Sequence, residues 1–159
     1  MEPGDQLSAI VDTARALQSA AIPFALIGGI AVGIRSGVPR ATDDVDIAVA
    51  TTASRARVIE VLEKGGLVLR REFEHSLNFR HSNAEPVQIA FDPEFDAMIE
   101  RSQPIGIQGL EVPVVLIEDL IEMKQRASRA PGRHRSNALR DRADVELLKG
   151  DAPDPDEGW

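Results

Sequence analysis

Two adjacent glycines, Gly28-Gly29, stand between the apolar tetrapeptide Phe24-Ala25-Leu26-Ile27 and a second apolar stretch, Ile30 to Ser36. That order reads as strand, turn and helix. Glycine at such a junction lets the backbone approach a ligand closely, and the first N–H groups of the helix have no internal partners. An anionic phosphate is the natural guest. The chain then passes through Arg40-Ala41-Thr42-Asp43-Asp44-Val45-Asp46 into another strand. Val45, Ile47 and Val49 point one way along it, and Asp44, Asp46, Ala48 and Ala50 the other. The segment commits the chain to an α/β arrangement with a phosphate-sized turn near two carboxylates aimed the same way.

Two like charges side by side on a sheet repel, and one takes up a proton unless a cation or basic partner holds both ionised. Magnesium, or manganese, removes the difficulty. It accepts oxygen ligands from one or two carboxylates and completes its shell with water and substrate phosphates. A lone Asp-x-Asp most often just starts an exposed strand. Here it accompanies the glycine turn.

At 159 residues, 43% of them hydrophobic, the chain has enough apolar surface for one core. We expect one domain over residues 1–150, followed by a disordered tail at 151–159 that is acidic and rich in proline. The absence of cysteine excludes disulfides and thiolate metal sites and fits a reducing cytoplasm. The acidic start and the lack of any membrane-length apolar run argue for a cytoplasmic protein without a membrane partner. A net charge of −8 argues against a general nucleic-acid coat.

Apolar residues at Leu7, Ile10, Val11, Ala14 and Leu17 predict a helix over 6–20, with Asp5 as its cap. A further helix around Val58 to Leu62 is expected to end at Gly65-Gly66 in a left-handed cap. Strands are predicted at 67–71, 76–80 and 87–91, a hairpin or loop over 105–115, and helices at 117–129 and 137–148. Lys124 falls on the apolar side of the first of these late helices. It either snorkels to water or meets a partner. From Lys124 to Arg142 seven basic residues face one acid, Asp141, which suggests either a solvated helical hairpin or a local phosphate funnel. None of the three histidines has zinc-site spacing.

The whole pattern, Gly-Gly followed by Arg-x-Thr-x-Asp-Val-Asp, resembles the nucleotidyltransferase superfamily with the polymerase-beta type core. It is most similar to the small bacterial antibiotic nucleotidyltransferases and to the toxins of abortive-infection type toxin–antitoxin systems. The resemblance implies a mixed β-sheet flanked by helices, with a C-terminal helical pair. It implies that Gly28 and Gly29 hold a triphosphate such as ATP, with Arg40 and Thr42 beside them, and that Asp44 and Asp46 hold magnesium. It further implies that Lys124 touches triphosphate, while Asp141 orients Lys124 or an acceptor group, Asp144 being the second choice. A nucleoside monophosphate would pass to an acceptor hydroxyl on a tRNA end, a protein or a small molecule, and an antitoxin would be a partner.

One departure from the family pattern matters more than the others. The third carboxylate of such sites lies on a later strand, and the matching segment here is Pro86-Val87-Gln88-Ile89-Ala90-Phe91-Asp92. Val87, Ile89 and Phe91 alternate toward the core, which leaves Gln88 in the third-acid position. A glutamine carbonyl can ligate magnesium, but a neutral amide cannot take a proton from a hydroxyl. Asp92 is about 13 Å further along the strand, too far to substitute. Glu72, Glu74 and Glu85 remain alternatives. Two functions stay open: a transferase, or a protein of the same fold that binds nucleotide without turnover.

Overall fold

The structure is a computed structural model that describes residues 3–38, 44–130, 132 and 134–150, with side chains from Gln6 onward. The elements run α1 (Pro3–Ser19), β1 (Phe24–Ile27), α2 (Gly28–Ser36), β2 (Val45–Val49), α3 (Arg55–Lys64), β3 (Val68–Glu72), β4 (Ser76–Arg80) and β5 (Pro86–Ala90). A short 3-10 turn (Pro93–Phe95) then leads into α4 (Asp96–Arg101), β6 (Gln103–Ile107), β7 (Leu110–Val114), α5 (Ile117–Ser128) and α6 (Arg135–Leu148). The seven strands form one mixed sheet in the order β3-β4-β5-β2-β1-β7-β6. β2 is antiparallel to β1 and parallel to β5, and β1 is parallel to β7. This is the expected α/β nucleotidyltransferase architecture with a C-terminal helical pair.

Alternation sets the core. Val45, Ile47 and Val49 of β2, Leu77 and Phe79 of β4, and Val87 and Ile89 of β5 are all buried, and Ile10, Ala14 and Leu17 of α1 join them. Helix α1 begins at Pro3, so Asp5 lies inside it rather than capping it. Ser54 caps α3 instead, accepting from Arg57 N–H at 3.1 Å. The left-handed residue after α3 is Gly66 (φ 98°) and not Gly65, whose φ is −81°. The hairpin or loop expected over 105–115 is the β6–β7 hairpin, turning through Gln108 and Gly109, both at positive φ. The 3-10 turn and α4 were not foreseen, because Pro93 to Arg101 is too short for a helical period to stand out. The tail 151–159 lies outside the described residues.

Two arginine clamps fix helices in place, one against the sheet and one against another helix. Arg35, at the end of α2, donates from Nη2 to the Val114 carbonyl at 2.8 Å and from Nε to the Val115 carbonyl at 3.1 Å. Arg101 of α4 grips buried Asp119 of α5 with two bonds, 2.7 and 3.2 Å. No helix of the described residues is long and apolar enough to cross a membrane. The Arg35 clamp ties the glycine turn to the strand that leads into α5. Arg35→Ala should lower the free energy of unfolding by about 2 kcal/mol in urea titrations, since two charge-assisted bonds to carbonyls are lost. Arg35→Met, which keeps the stem, should recover little of it.

Candidate active site

Strand β1 ends and α2 begins without an intervening loop, so Gly28 is the first helical residue. Ile27 before it is extended, and no side chain caps the helix. The opening N–H groups of α2 are therefore left for solvent or a ligand. Gly28 has φ 73°. A Cβ built on it would lie 2.8 Å from Asp46 Cβ and 2.9 Å from Asp46 Cγ, and nearer still to Oδ2. No larger residue fits. The β1–β2 pairing explains the closeness, because Ile27 sits directly opposite Asp46.

Asp46 is largely desolvated, and Asp44 stands beside it. Burial first, and the Asp44 charge second, push the Asp46 carboxyl up from 3.8 to about 6, while the Lys124 ammonium acts in the opposite sense. Asp44, expected to begin the strand, immediately precedes β2, which starts at Val45. Gln88 on β5 is paired laterally with Asp46, and its Nε2 donates to Asp44 Oδ2 at 3.0 Å. The third-acid position is thus filled by an amide bonded to the carboxylate pair.

The proposed substitutes for a third acid lie elsewhere. Asp92 accepts from Glu94 N–H and lies 3.4 Å from His75 Nδ1. Glu72 is 4.0 Å from Arg55, Glu74 is 3.5 Å from His75, and Glu85 is wholly buried in the β4–β5 turn. No three acidic or histidine side chains among the described residues converge as a metal site. Asp44 and Asp46 still fit a divalent cation: their mutual repulsion in a buried setting is what such an ion would relieve, and a turned Gln88 offers a carbonyl oxygen.

Lys124 does not snorkel. Its Nζ lies 3.2 Å from Asp144 Oδ2 and 3.4 Å from Asp141 Oδ1, and both carboxylates are buried. Asp141 and Asp144 are three residues apart on α6 and share one face, so the two candidates for orienting Lys124 act together. The expected basic funnel is only partly present. Arg126 is engaged by Glu122 and Glu94, and Arg129 bonds the Gln125 carbonyl. Arg133 lies outside the described residues, as do Arg40 and Thr42. Gly28, Asp44, Asp46, Gln88 and Lys124 converge; Gly29 follows Gly28 in the first turn of α2.

The site also contains residues that strand alternation concealed. A cavity of about 260 Å³ beside Asp44 and Gln88 is lined by Arg70, Arg71, Asn78 and Arg80, with Phe79, Pro86 and Val87 as its floor.

The sequence model of the family described as "Nucleotidyl transferase AbiEii toxin, Type IV TA system" matches residues 12–157. The chain belongs to this AbiEii nucleotidyltransferase toxin family. No curated protein matches the sequence significantly. Among solved structures it is similar to the antibiotic-resistance factor ANT(2'')-Ia, with TM-score 0.64, 18% identity, and coverage of 94% of this chain and 92% of that one. It is also similar to a putative nucleotidyltransferase from Thermotoga maritima (TM-score 0.66, 14% identity, 90% and 95% covered). A third is the lincosamide antibiotic adenylyltransferase LnuA with lincomycin bound (TM-score 0.62, 16% identity, 93% and 97% covered). At these identities the three show the fold alone.

The raised Asp46 carboxyl has a defined effect on stability. In the unfolded chain it ionises near 3.8, but in the fold only near 6, so the folded state holds the extra proton between those values and stability falls as pH rises through that window. Asp46→Asn should therefore stabilise the metal-free protein by about 1–2 kcal/mol at pH 7.5, allowing for solvent screening, and by almost nothing at about pH 3. Thermal melts in chelator at the two pH values check both the sign and the window.

Proposed function

We propose that this chain transfers a nucleoside monophosphate from a nucleoside triphosphate to an acceptor hydroxyl, as the toxin of a toxin–antitoxin pair. The observation that carries the reading is the apposition of the uncapped start of α2, through Gly28, to a carboxylate pair of which Asp46 is largely desolvated. Helix N–H groups hold anionic oxygens, and a carboxylate pair at that place has a use only if cations accompany the anion. Asp44 and Asp46 would hold magnesium or manganese, which would supply positive charge for the triphosphate and the leaving pyrophosphate. The residues themselves bind and orient. Gly28 admits the triphosphate to the backbone, and Lys124, braced by Asp141 and Asp144, presents a fixed positive charge to the cleft. The acceptor oxygen bonds to the α-phosphorus as the α–β bridge opens.

The candidate acceptors are tRNA ends, proteins and small molecules; the ANT(2'')-Ia neighbour was solved with adenylyl-2''-tobramycin. Magnesium-dependent release of pyrophosphate from each of the four nucleoside triphosphates, with total RNA or protein extract as acceptor, tests the reading. Asp44→Asn and Asp46→Asn should each reduce that release at least a hundredfold, about 3 kcal/mol of transition-state stabilisation. Lys124→Ala should weaken triphosphate binding more than monophosphate binding, in titrations run well below the variant's melting temperature. If calorimetry finds both Asn variants binding nucleotide with magnesium as tightly as the parent, the metal-site assignment is wrong.

A second reading rests on Gln88, whose amide donates to Asp44 where a proton acceptor would serve catalysis. On that reading the cleft holds nucleotide without turnover. Gln88→Asp decides between the two. It should raise pyrophosphate release from background at least tenfold if a missing base is the only defect, and bring no gain or a loss if the parent already turns over.

A further inference from the structure

The pairing of β3 with β4 steps from Leu69 opposite Phe79 to Arg71 opposite Asn78, so Arg70 is an extra residue, a β-bulge. Regular alternation would send Arg70 and Arg71 to opposite faces. The bulge instead lets both line the cavity beside Asp44, together with Arg80. Among the described residues neither Arg70 nor Arg71 has an ion-pair partner, and Arg80 donates to the Ala84 carbonyl at 2.9 Å. Asp44, the acid that shares the cavity with these three guanidinium groups, already accepts from Gln88 at 3.0 Å. Positive charge is therefore in excess there, in a chain whose net charge is −8. Guanidinium groups take carboxylates in forked pairs and stack on aromatic rings. An extended acidic segment that carries an aromatic residue fits such a lining.

The chain supplies that segment itself. After α6, residues 151–159 hold Asp151, Asp154, Asp156 and Glu157, two prolines and Trp159, with no basic residue among them. Proline favours an extended backbone, so such a stretch can lie along a groove at a reduced ordering cost. Its root is close enough. Asp144 lies 3.2 Å from Lys124, whose charge acts on Asp46, and six residues, about 9 Å of helix, separate Asp144 from Gly150. Asp46, Gln88, Asn78 and Arg71 are each paired laterally with the next, so three strand spacings, about 14 Å, separate Asp46 from Arg71. The nine residues after Gly150 span about 30 Å when extended, which exceeds the two distances together. A tether this short holds the segment at an effective concentration on the order of millimolar, far above what a second copy would offer in dilute solution.

We infer that residues 151–159 dock in this cavity as an internal ligand, with their carboxylates on Arg70, Arg71 and Arg80 and Trp159 stacked on a guanidinium group, and that they exclude other anions while docked. This goes beyond the transferase reading and holds whether the cleft turns over or only binds. The fold thereby carries its own competitor for the face next to Asp44.

Intrinsic fluorescence of the full chain tests it, because Trp159 is the sole tryptophan and tyrosine is absent. At low salt Trp159 should emit to the blue of a fully hydrated indole and resist quenching by acrylamide. Both properties should be lost at about 1 M sodium chloride, where the screening length falls to about 3 Å. Arg70 and Arg71 are exposed, so Arg70→Ala/Arg71→Ala should melt as the parent does and yet leave Trp159 open to quencher at low salt. Asp154→Asn/Asp156→Asn/Glu157→Gln should do the same. Combining Arg70→Glu/Arg71→Glu with Asp154→Lys/Asp156→Lys should restore the protection. Inorganic phosphate should release Trp159 at a lower ionic strength than sodium chloride does. A parent whose Trp159 is quenched as readily as that of the arginine variant overturns the inference, as does a charge swap that restores nothing or equal release by the two salts at matched ionic strength. Protection that rises with protein concentration also overturns it, by seating the segment on a second copy.

Discussion

Most of the site follows from how closely the backbone of Gly28 passes over the Asp46 side chain. Because β1 and β2 pair with Ile27 opposite Asp46, the residue after Ile27 must turn directly above that carboxylate. A glycine at positive φ is the solution that leaves both backbones in place. The turn then opens straight into α2, so unpartnered N–H groups and a desolvated acid are brought together at one end of two adjacent strands. Each half is unfavourable alone: the helix lacks a cap, and the acid lacks solvent. An apolar sheet with Val45, Ile47 and Val49 fully buried supplies the offsetting stability.

Bonds from charged side chains then set where the helices lie. Arg35 ties α2 to the carbonyls at the end of β7, Arg101 ties α4 to α5 through Asp119, and Lys124 ties α5 to α6 through Asp141 and Asp144. The buried Lys124 pairs add little net stability compared with apolar packing, but they penalise any sliding that would separate them. Lys124 illustrates the consequence. A lysine free to rotate would spread its charge over many positions, whereas one held by two buried carboxylates directs a steady field at Asp46.

Gln88 tempers the same electrostatics. A third carboxylate opposite Asp46 would add to the repulsion that already raises its proton affinity, and an amide donating to Asp44 lowers it instead. The neutral residue also leaves the face between β2 and β4 less anionic, so that, among the described residues, Asp44 is the one acid lining the cavity it shares with Arg70, Arg71 and Arg80.

Local features were legible in the chain because their physics is local. Glycine pairs, two-residue alternation in Val45 to Val49 and Val87 to Ile89, and helical spacing in α1, α5 and α6 depend on near neighbours alone, and the elements appear within a few residues of where those periods put them. The meeting of Gly28 with Asp46, and the place of Gln88 opposite them, followed from a spacing pattern that is itself a record of strand order. Tertiary structure decided the rest. Whether Lys124 would snorkel or pair depended on α6 crossing α5, which no property of the α5 sequence encodes. Regular alternation would place Arg70 and Arg71 on opposite faces, and only the pairing of β3 with β4 shows the bulge that brings them to one cavity. Register between strands is set by the partner's side chains and the sheet's twist, so a residue's face is fixed by its neighbours across the sheet as much as by its own place in the chain.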